Sequence, residues 1–280
     1  MTKDQFYGGQ RIRTRYRIEG SGPDLVLIHG VSDRLESWDG IVERLEDRYR
    51  LIRYDLRGHG ETDKPVGPYS LDDFADDLAE LTTYLRLERF HLAGYSLGGL
   101  IAQRFSLRNM FRIDHLVLLS TVAGRNEVEK ARVEERLRAV EQGDLDTHFE
   151  KSIARWFTDD FIRRNPDLVK RYSAQNSGGD QAGVRAAYRV LCTSDLIDEL
   201  PKLKVPTLIV TGEHDIGSNP RMANNMHKAI AGSRMTILPH LKHSILIEAP
   251  ETFAGLVADF LADNASHRSE EERVATTLRP

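Results

Sequence analysis

Two hydrophobic rhythms run along the chain, one of period two and one near 3.6, and they take turns. From Arg11 to Ile18 the positions alternate. Ile12, Thr14, Tyr16 and Ile18 fall on one side, and Arg11, Arg13, Arg15 and Arg17 on the other. That is the pattern of a strand with one solvated face, and the arginine row reads as a charged guard on an edge strand. After the turn at Gly20–Pro23, Leu25-Val26-Leu27-Ile28 is a continuous apolar run, as expected of a central parallel strand. Arg50–Tyr54, Phe90–Ala93, Leu116–Leu119, Pro206–Val210 and Met235–Leu238 read as further short strands. Between them apolar residues recur at helical spacing. Trp38, Ile41, Val42 and Leu45 form one set, and Leu71, Phe74, Leu78, Leu81 and Leu85 another. Helices are also expected from Leu97 to near Leu107, at Pro220–Ile230 and at Pro250–Ala262. Strands alternating with helices predict an α/β protein with a mostly parallel central sheet flanked by helices.

The rhythm breaks from Val122 to Leu196. This stretch is charge-rich and has no strand signal, and its helix candidates are Glu127–Glu141, Asp146–Trp156, Phe161–Asn165 and Asp180–Leu191. The expected organisation is a core domain in two parts, 1–121 and 197–264, interrupted by a helical insertion at 122–196. The polar, Glu/Arg-rich stretch 265–280 reads as a mobile tail.

Composition narrows the function classes. Acidic residues outnumber basic ones 43 to 39, a net charge of −4, whereas a nucleic-acid binder carries a basic surplus. Cys192 is the single cysteine, which excludes an internal disulfide and a Cys-rich zinc site. No run approaches the roughly 18 apolar residues of a membrane span. The opening residues Met1–Tyr7 lack the apolar stretch of a signal peptide. The expectation is a cytoplasmic protein with a small-molecule substrate and neither nucleic-acid nor membrane partner. Nothing in the sequence sets its oligomeric state.

The sharpest chemical feature is Gly94-Tyr95-Ser96-Leu97-Gly98, followed by Gly99. It fits G-x-S-x-G between a strand and a helix, where a strained turn lifts a serine hydroxyl off the sheet edge. A serine nucleophile needs a base, and the base needs an orienting carboxylate. In this architecture the chain order is Ser, acid, His. Asp215, just past strand Leu208–Val210, is the expected acid, with Glu213 as the nearby alternative. His243 is the expected base, because the later position in its loop reaches back over the sheet edge; His240 is its competitor. The expected oxyanion hole is the amide of Leu97, at a helix N-terminus, and the amide of Val31 in the loop His29-Gly30-Val31. His29 reads as a brace for that loop.

Taken in order, Ile28-His29-Gly30, Asp55–Gly60, Gly94–Gly99, Gly212–Asp215 and His243 resemble the α/β-hydrolase superfamily over nearly the whole chain, Gly20 to Leu261. Within it the chain most resembles the 3-oxoadipate enol-lactonases and the esterases grouped with them. That resemblance is carried by Arg53–Gly60, Gly67–Leu71, Arg155-Trp156-Phe157-Thr158 and Ala229–Gly232. It implies the α/β-hydrolase fold, with the helical insertion as a cap, and a serine hydrolase of esters or lactones needing no metal or organic cofactor. One departure stands out: the lactonases usually carry Asn-Ser-Leu where this chain has His29-Gly30-Val31, the form common among esterases.

A cap over Ser96 should set specificity. Trp156 then either packs on the substrate or belongs to the cap core. Arg155 or Arg34 is a candidate to hold a substrate carboxylate, with solvated arginines as the alternative. Tyr95 either flanks the pocket or packs beneath it. The same triad also serves amide and C–C cleavage of ring-fission products, and some proteins of this fold are non-catalytic receptors.

Overall fold

The computed structural model describes residues 3–142, 152–176 and 181–262. Residues 146–151 of the expected helix Asp146–Trp156, the residue Asp180 and the expected tail at 265–280 lie outside them.

Eight strands form one sheet: β1 (Gln5–Gly8), β2 (Arg13–Glu19), β3 (Asp24–Ile28), β4 (Arg50–Tyr54), β5 (Phe90–Tyr95), β6 (Ile113–Leu119), β7 (Thr207–Gly212) and β8 (Arg234–Leu238). Their spatial order is β1-β2-β4-β3-β5-β6-β7-β8. The β1–β2 and β2–β4 pairs are antiparallel and every other pair is parallel. The order reverses between β3 and β5, so their carboxyl ends open a crevice of the kind that holds ligands in such sheets.

The period of two divides the core into two layers. Val26, Ile28, Ile52, Leu92 and Leu118 pack against helices α2 (Leu71–Tyr84), α3 (Leu97–Arg108) and Pro220–Ala229. Leu25, Leu27, Leu51, Ala93 and Val117 face the other way, onto α1 (Asp39–Leu45) and the helix over residues 250–262. Helix α2 starts at a reciprocal cap. The Asp73 amide donates to Ser70 Oγ at 3.1 Å, and the Ser70 amide donates to Asp73 Oδ2 at 2.8 Å.

The edge-strand reading of β2 is corrected. β1, four residues long, is the true edge, and β2 lies one strand in. Arg15 is accordingly buried, 3% exposed, with Asp55, Asp4 and Glu36 around its guanidinium. The alternation was real, but an arginine row cannot announce that folded carboxylates will meet it.

Between β6 and β7 the described residues form helices α4 (Glu127–Gln142), 152–156, Asp159–Arg164, Pro166–Asn176 and Ala182–Thr193. The helix Pro166–Asn176 was not among those expected. Thr158 caps the helix Asp159–Arg164 by accepting the Phe161 amide at 3.1 Å.

Candidate active site

β5 delivers Ser96 into a sharp turn at the crevice. Ser96 has φ +54° and ψ −114°, a left-handed conformation that costs a non-glycine residue about 1–3 kcal/mol. The surroundings enforce it. The Ser96 amide donates to Leu119 O at 3.0 Å, and Thr121 Oγ1 donates to Ser96 O at 2.7 Å. The glycines beside it are steric necessities: a Cβ on Gly94 would lie 2.2 Å from Gly98 O, and one on Gly98 would lie 2.3 Å from Ile28 O.

Asp215 and His243 come from the loops after β7 and β8 and meet at this edge. His243 Nδ1 donates to Asp215 Oδ2 at 2.6 Å. Asp215 Oδ1 accepts the amides of Gly217 and Ser218, each at 2.9 Å. Burial alone would raise the Asp215 carboxyl, but His243 and the two amides outweigh it and hold its pKa below the ordinary value. The ionised carboxylate fixes the tautomer with the proton on Nδ1, which leaves Nε2 as the acceptor.

The His243 loop is stitched to the helical segment above it. The Ser244 amide donates to Trp156 O at 2.9 Å, Lys242 Nζ to Ala154 O at 2.8 Å, and the Thr158 amide to Glu248 Oε2 at 3.1 Å. Ser120 Oγ donates to His243 O at 3.2 Å.

Glu213 and His240, the alternative acid and base, lie elsewhere. Both are exposed, and the His240 amide donates to Glu213 Oε2 at 2.8 Å. With His214 they bring one donor atom each within 4.8 Å of one another on the surface.

The loop after β3 is braced by two buried histidines. His29 Nδ1 donates to Gly30 O at 2.7 Å while its Nε2 accepts the Leu56 amide at 3.0 Å. His59 Nδ1 donates to Arg57 O at 2.9 Å and its Nε2 accepts the Ser32 amide at 3.1 Å. Burial depresses His29 to about 4 and His59 to about 3, so both are neutral braces. Among the described residues, neither the Val31 nor the Leu97 amide donates to a protein acceptor.

A cavity of about 790 Å³, mouth included, joins these parts. Ser96, His243, Asp215, Val31, Tyr95, Trp156 and Arg155 all line it. Tyr95 is also buried, its ring 5.2 Å from that of His243, so it flanks the pocket from below. Arg34 does not reach the cavity; its Nε lies 3.7 Å from Glu36 Oε2. The Leu97 side chain is buried in the core, leaving only its amide near the turn.

The sequence reading missed several lining residues. Asp33 is buried, and Tyr172 donates its hydroxyl to Asp33 Oδ1 at 2.7 Å. Burial raises Asp33 to about 7, against the opposing pull of Tyr172, His243 and Arg34. Arg125, Arg136, Tyr188 and Cys192 also line the wall. Asp33 sits two positions past Val31, a local signal that was available. The wall residues had none.

Residues 23–250 match the model of the α/β-hydrolase fold family. The chain belongs to that family. Within it the chain is similar to enol-lactonases and other hydrolases. It is 26% identical to 3-oxoadipate enol-lactonase 2 of Acinetobacter baylyi over 231 residues, 82% of this chain and 85% of that protein. It is 30% identical to (E)-2-((N-methylformamido)methylene)succinate hydrolase of the same organism over 239 residues, 84% of this chain and 89% of that protein. The crystal structure of the enol-lactonase from Burkholderia xenovorans LB400 superposes with a TM-score of 0.85 at 29% identity, covering 92% of this chain and all of that one. Among the described residues no helix is long and apolar enough to cross a membrane.

Proposed function

We propose that the enzyme is a serine hydrolase that cleaves a carboxylic ester or lactone of a small, carboxylate-bearing molecule through an acyl-enzyme. One observation carries this: Ser96, held at φ +54°, shares a cavity with a histidine whose Nδ1 is committed to a buried carboxylate at 2.6 Å. In this reading His243 Nε2 takes the Ser96 proton as Oγ attacks the carbonyl carbon. The amides of Leu97 and Val31 hold the oxyanion. The imidazolium returns its proton to the leaving oxygen, and Asp215 stabilises the charged ring without taking that proton. Water then attacks the acyl-enzyme with His243 again as base, releasing the acid and restoring Ser96.

The segment 122–196 serves as the cap in this reading, and Trp156 and Arg155 contact the substrate. Their presence on the cavity wall supports both assignments. An amide substrate is the second reading. It is favoured by the relative named for an N-methylformamido succinate, since the same nucleophile and base serve either leaving group.

The test is hydrolysis of p-nitrophenyl butyrate by the purified enzyme beside Ser96→Ala. Turnover that disappears in the variant is the expected result. Equal turnover in both would overturn the reading.

A further inference from the structure

Three arginines line the cavity that also holds Ser96. They come from three separate places: Arg125 from the loop after β6, Arg136 from the middle of α4, and Arg155 from the helical stretch 152–156. They are close enough to repel one another, Arg136 lowering the pKa of both Arg125 and Arg155 after burial has done so first.

Among the described residues no carboxylate forms an ion pair with any of the three. The rest of the molecule treats its buried arginines differently. Arg15, Arg53 and Arg57 each sit against carboxylates, as the cost of desolvating a guanidinium demands. Arg125 is just as buried, 8% exposed, yet it uses Nη1 and Nη2 on the carbonyls of Ser194 and Leu191, at 3.0 and 2.8 Å. Its Nε is buried without an acceptor, and so is the Nε of Arg136. Arg155 donates to Ser152 Oγ. Asp195 is the carboxylate whose charge reaches Arg125, but its oxygens accept the backbone amides of Gly124, Arg125 and Ile197 rather than the guanidinium. The Cys192 thiol and Tyr188 phenol stay neutral: burial pushes the thiol up to about 11 and the phenol higher still. The two carboxyls on the cavity, Asp33 and Asp215, are engaged by Tyr172 and His243.

We propose that Arg125, Arg136 and Arg155 form a subsite for a dianionic group of the substrate, remote from the bond that Ser96 attacks. A single carboxylate neutralises one guanidinium and leaves a buried excess of positive charge. Two carboxylates, or one phosphate dianion, neutralise most of it and supply enough acceptor oxygens for the unspent donors. The inference rests on reading this cavity as the acyl-transfer site. It narrows that reading from a carboxylate-bearing substrate to one with two negative charges at the cap end. It also gives Arg155 a different role from a lone anion holder, with Arg136 at the centre of the set.

Calorimetric titration of the purified enzyme near pH 7.5 with succinate, inorganic phosphate and butyrate tests this without turnover. At least one dianion should bind about tenfold or more tightly than butyrate, as expected for one additional charge-assisted pair. Succinate as the tighter ligand identifies a dicarboxylate, and phosphate as the tighter ligand a phosphate monoester. Arg136→Gln should abolish the preference. Arg138→Gln, which removes the same charge from an exposed position on the same helix, should retain it. Butyrate binding as tightly as both dianions overturns the subsite. So does an equal loss of preference in Arg136→Gln and Arg138→Gln. A protein that binds the dianion but hydrolyses p-nitrophenyl butyrate no faster than Ser96→Ala does, both turning it over, overturns the acyl-transfer reading and leaves the subsite standing.

Discussion

His243 and Asp215 stand 28 positions apart in sequence, yet their side chains share a hydrogen bond of 2.6 Å. The sheet makes that contact. β7 and β8 are adjacent and parallel, so the loops at their carboxyl ends emerge side by side. Asp215→Asn keeps the shape and removes the charge that fixes the imidazole tautomer. The expected result is a loss of about 10³–10⁴-fold in kcat for ester hydrolysis. Near-native circular dichroism should accompany it, and a loss under tenfold would remove Asp215 from the mechanism.

Ser96 stores backbone strain that glycine would not feel. Ser96→Gly and Ser96→Ala should both be inactive, but their stabilities should part. The glycine variant should be the more stable by about 1 kcal/mol, because only alanine keeps a Cβ at φ +54°. Urea denaturation midpoints of the two variants give the difference. Equal midpoints would mean that the turn relaxes once the hydroxyl is gone.

Asp55 holds the front of the site from below. Its Oδ1 accepts the Leu35 amide at 2.8 Å, and its Oδ2 accepts the Glu61 amide at 2.9 Å and Arg15 Nη1 at 3.1 Å. Asp55→Ala strands two amides and weakens the pairing of a buried guanidinium. The expected destabilisation is about 3–5 kcal/mol, read from equilibrium unfolding. A loss below about 1 kcal/mol would mean that Asp4 and Glu36 alone satisfy Arg15.

How much of this was legible in the chain follows from what each signal depends on. β3 announces itself, because Leu25 to Ile28 is an unbroken apolar run; β5 does so less cleanly, since it buries His91 among Phe90, Leu92 and Ala93. The turn at Ser96 is legible because Gly94 and Gly98 are required by local backbone approach. β1 is not, since Gln5-Phe6-Tyr7-Gly8 has neither length nor alternation. Arg136 was hidden for a deeper reason. In Glu127–Gln142 nearly every turn carries charges of both signs, the text of a solvated helix. The apolar positions Val133, Leu137 and Val140 mark the buried face of α4, and Arg136 borders it, three positions after Val133 and four before Val140. That this border meets a cavity rather than solvent depends on how α4 packs, which the helix's own sequence does not record. Asp33 and Tyr172 are 139 positions apart, and their contact exists only once the helical segment has folded over the loop.

That contact also shapes how the fold's stability depends on pH. Asp33 has its pKa raised from 3.8 to about 7 by burial, with the Tyr172 hydroxyl, His243 and Arg34 pulling the other way. The folded state therefore holds a proton on Asp33 over a window in which the unfolded chain has released it. Stability from this group is fully present below about pH 4 and falls as pH rises toward 7. A shift of that size corresponds to at most about 4 kcal/mol. His29 and His59 work in the opposite sense, since their lowered pKa values make the fold lose stability as pH falls below the range of a free histidine. The wild-type curve alone therefore mixes opposing slopes. Asp33→Asn removes one of them and keeps an acceptor for Tyr172, while both histidines titrate alike in the two proteins and cancel in the difference. The variant's stability relative to wild type should climb steadily from pH 4 to pH 7, measured by urea unfolding at each pH. A flat difference would show that Asp33 ionises freely in the folded enzyme.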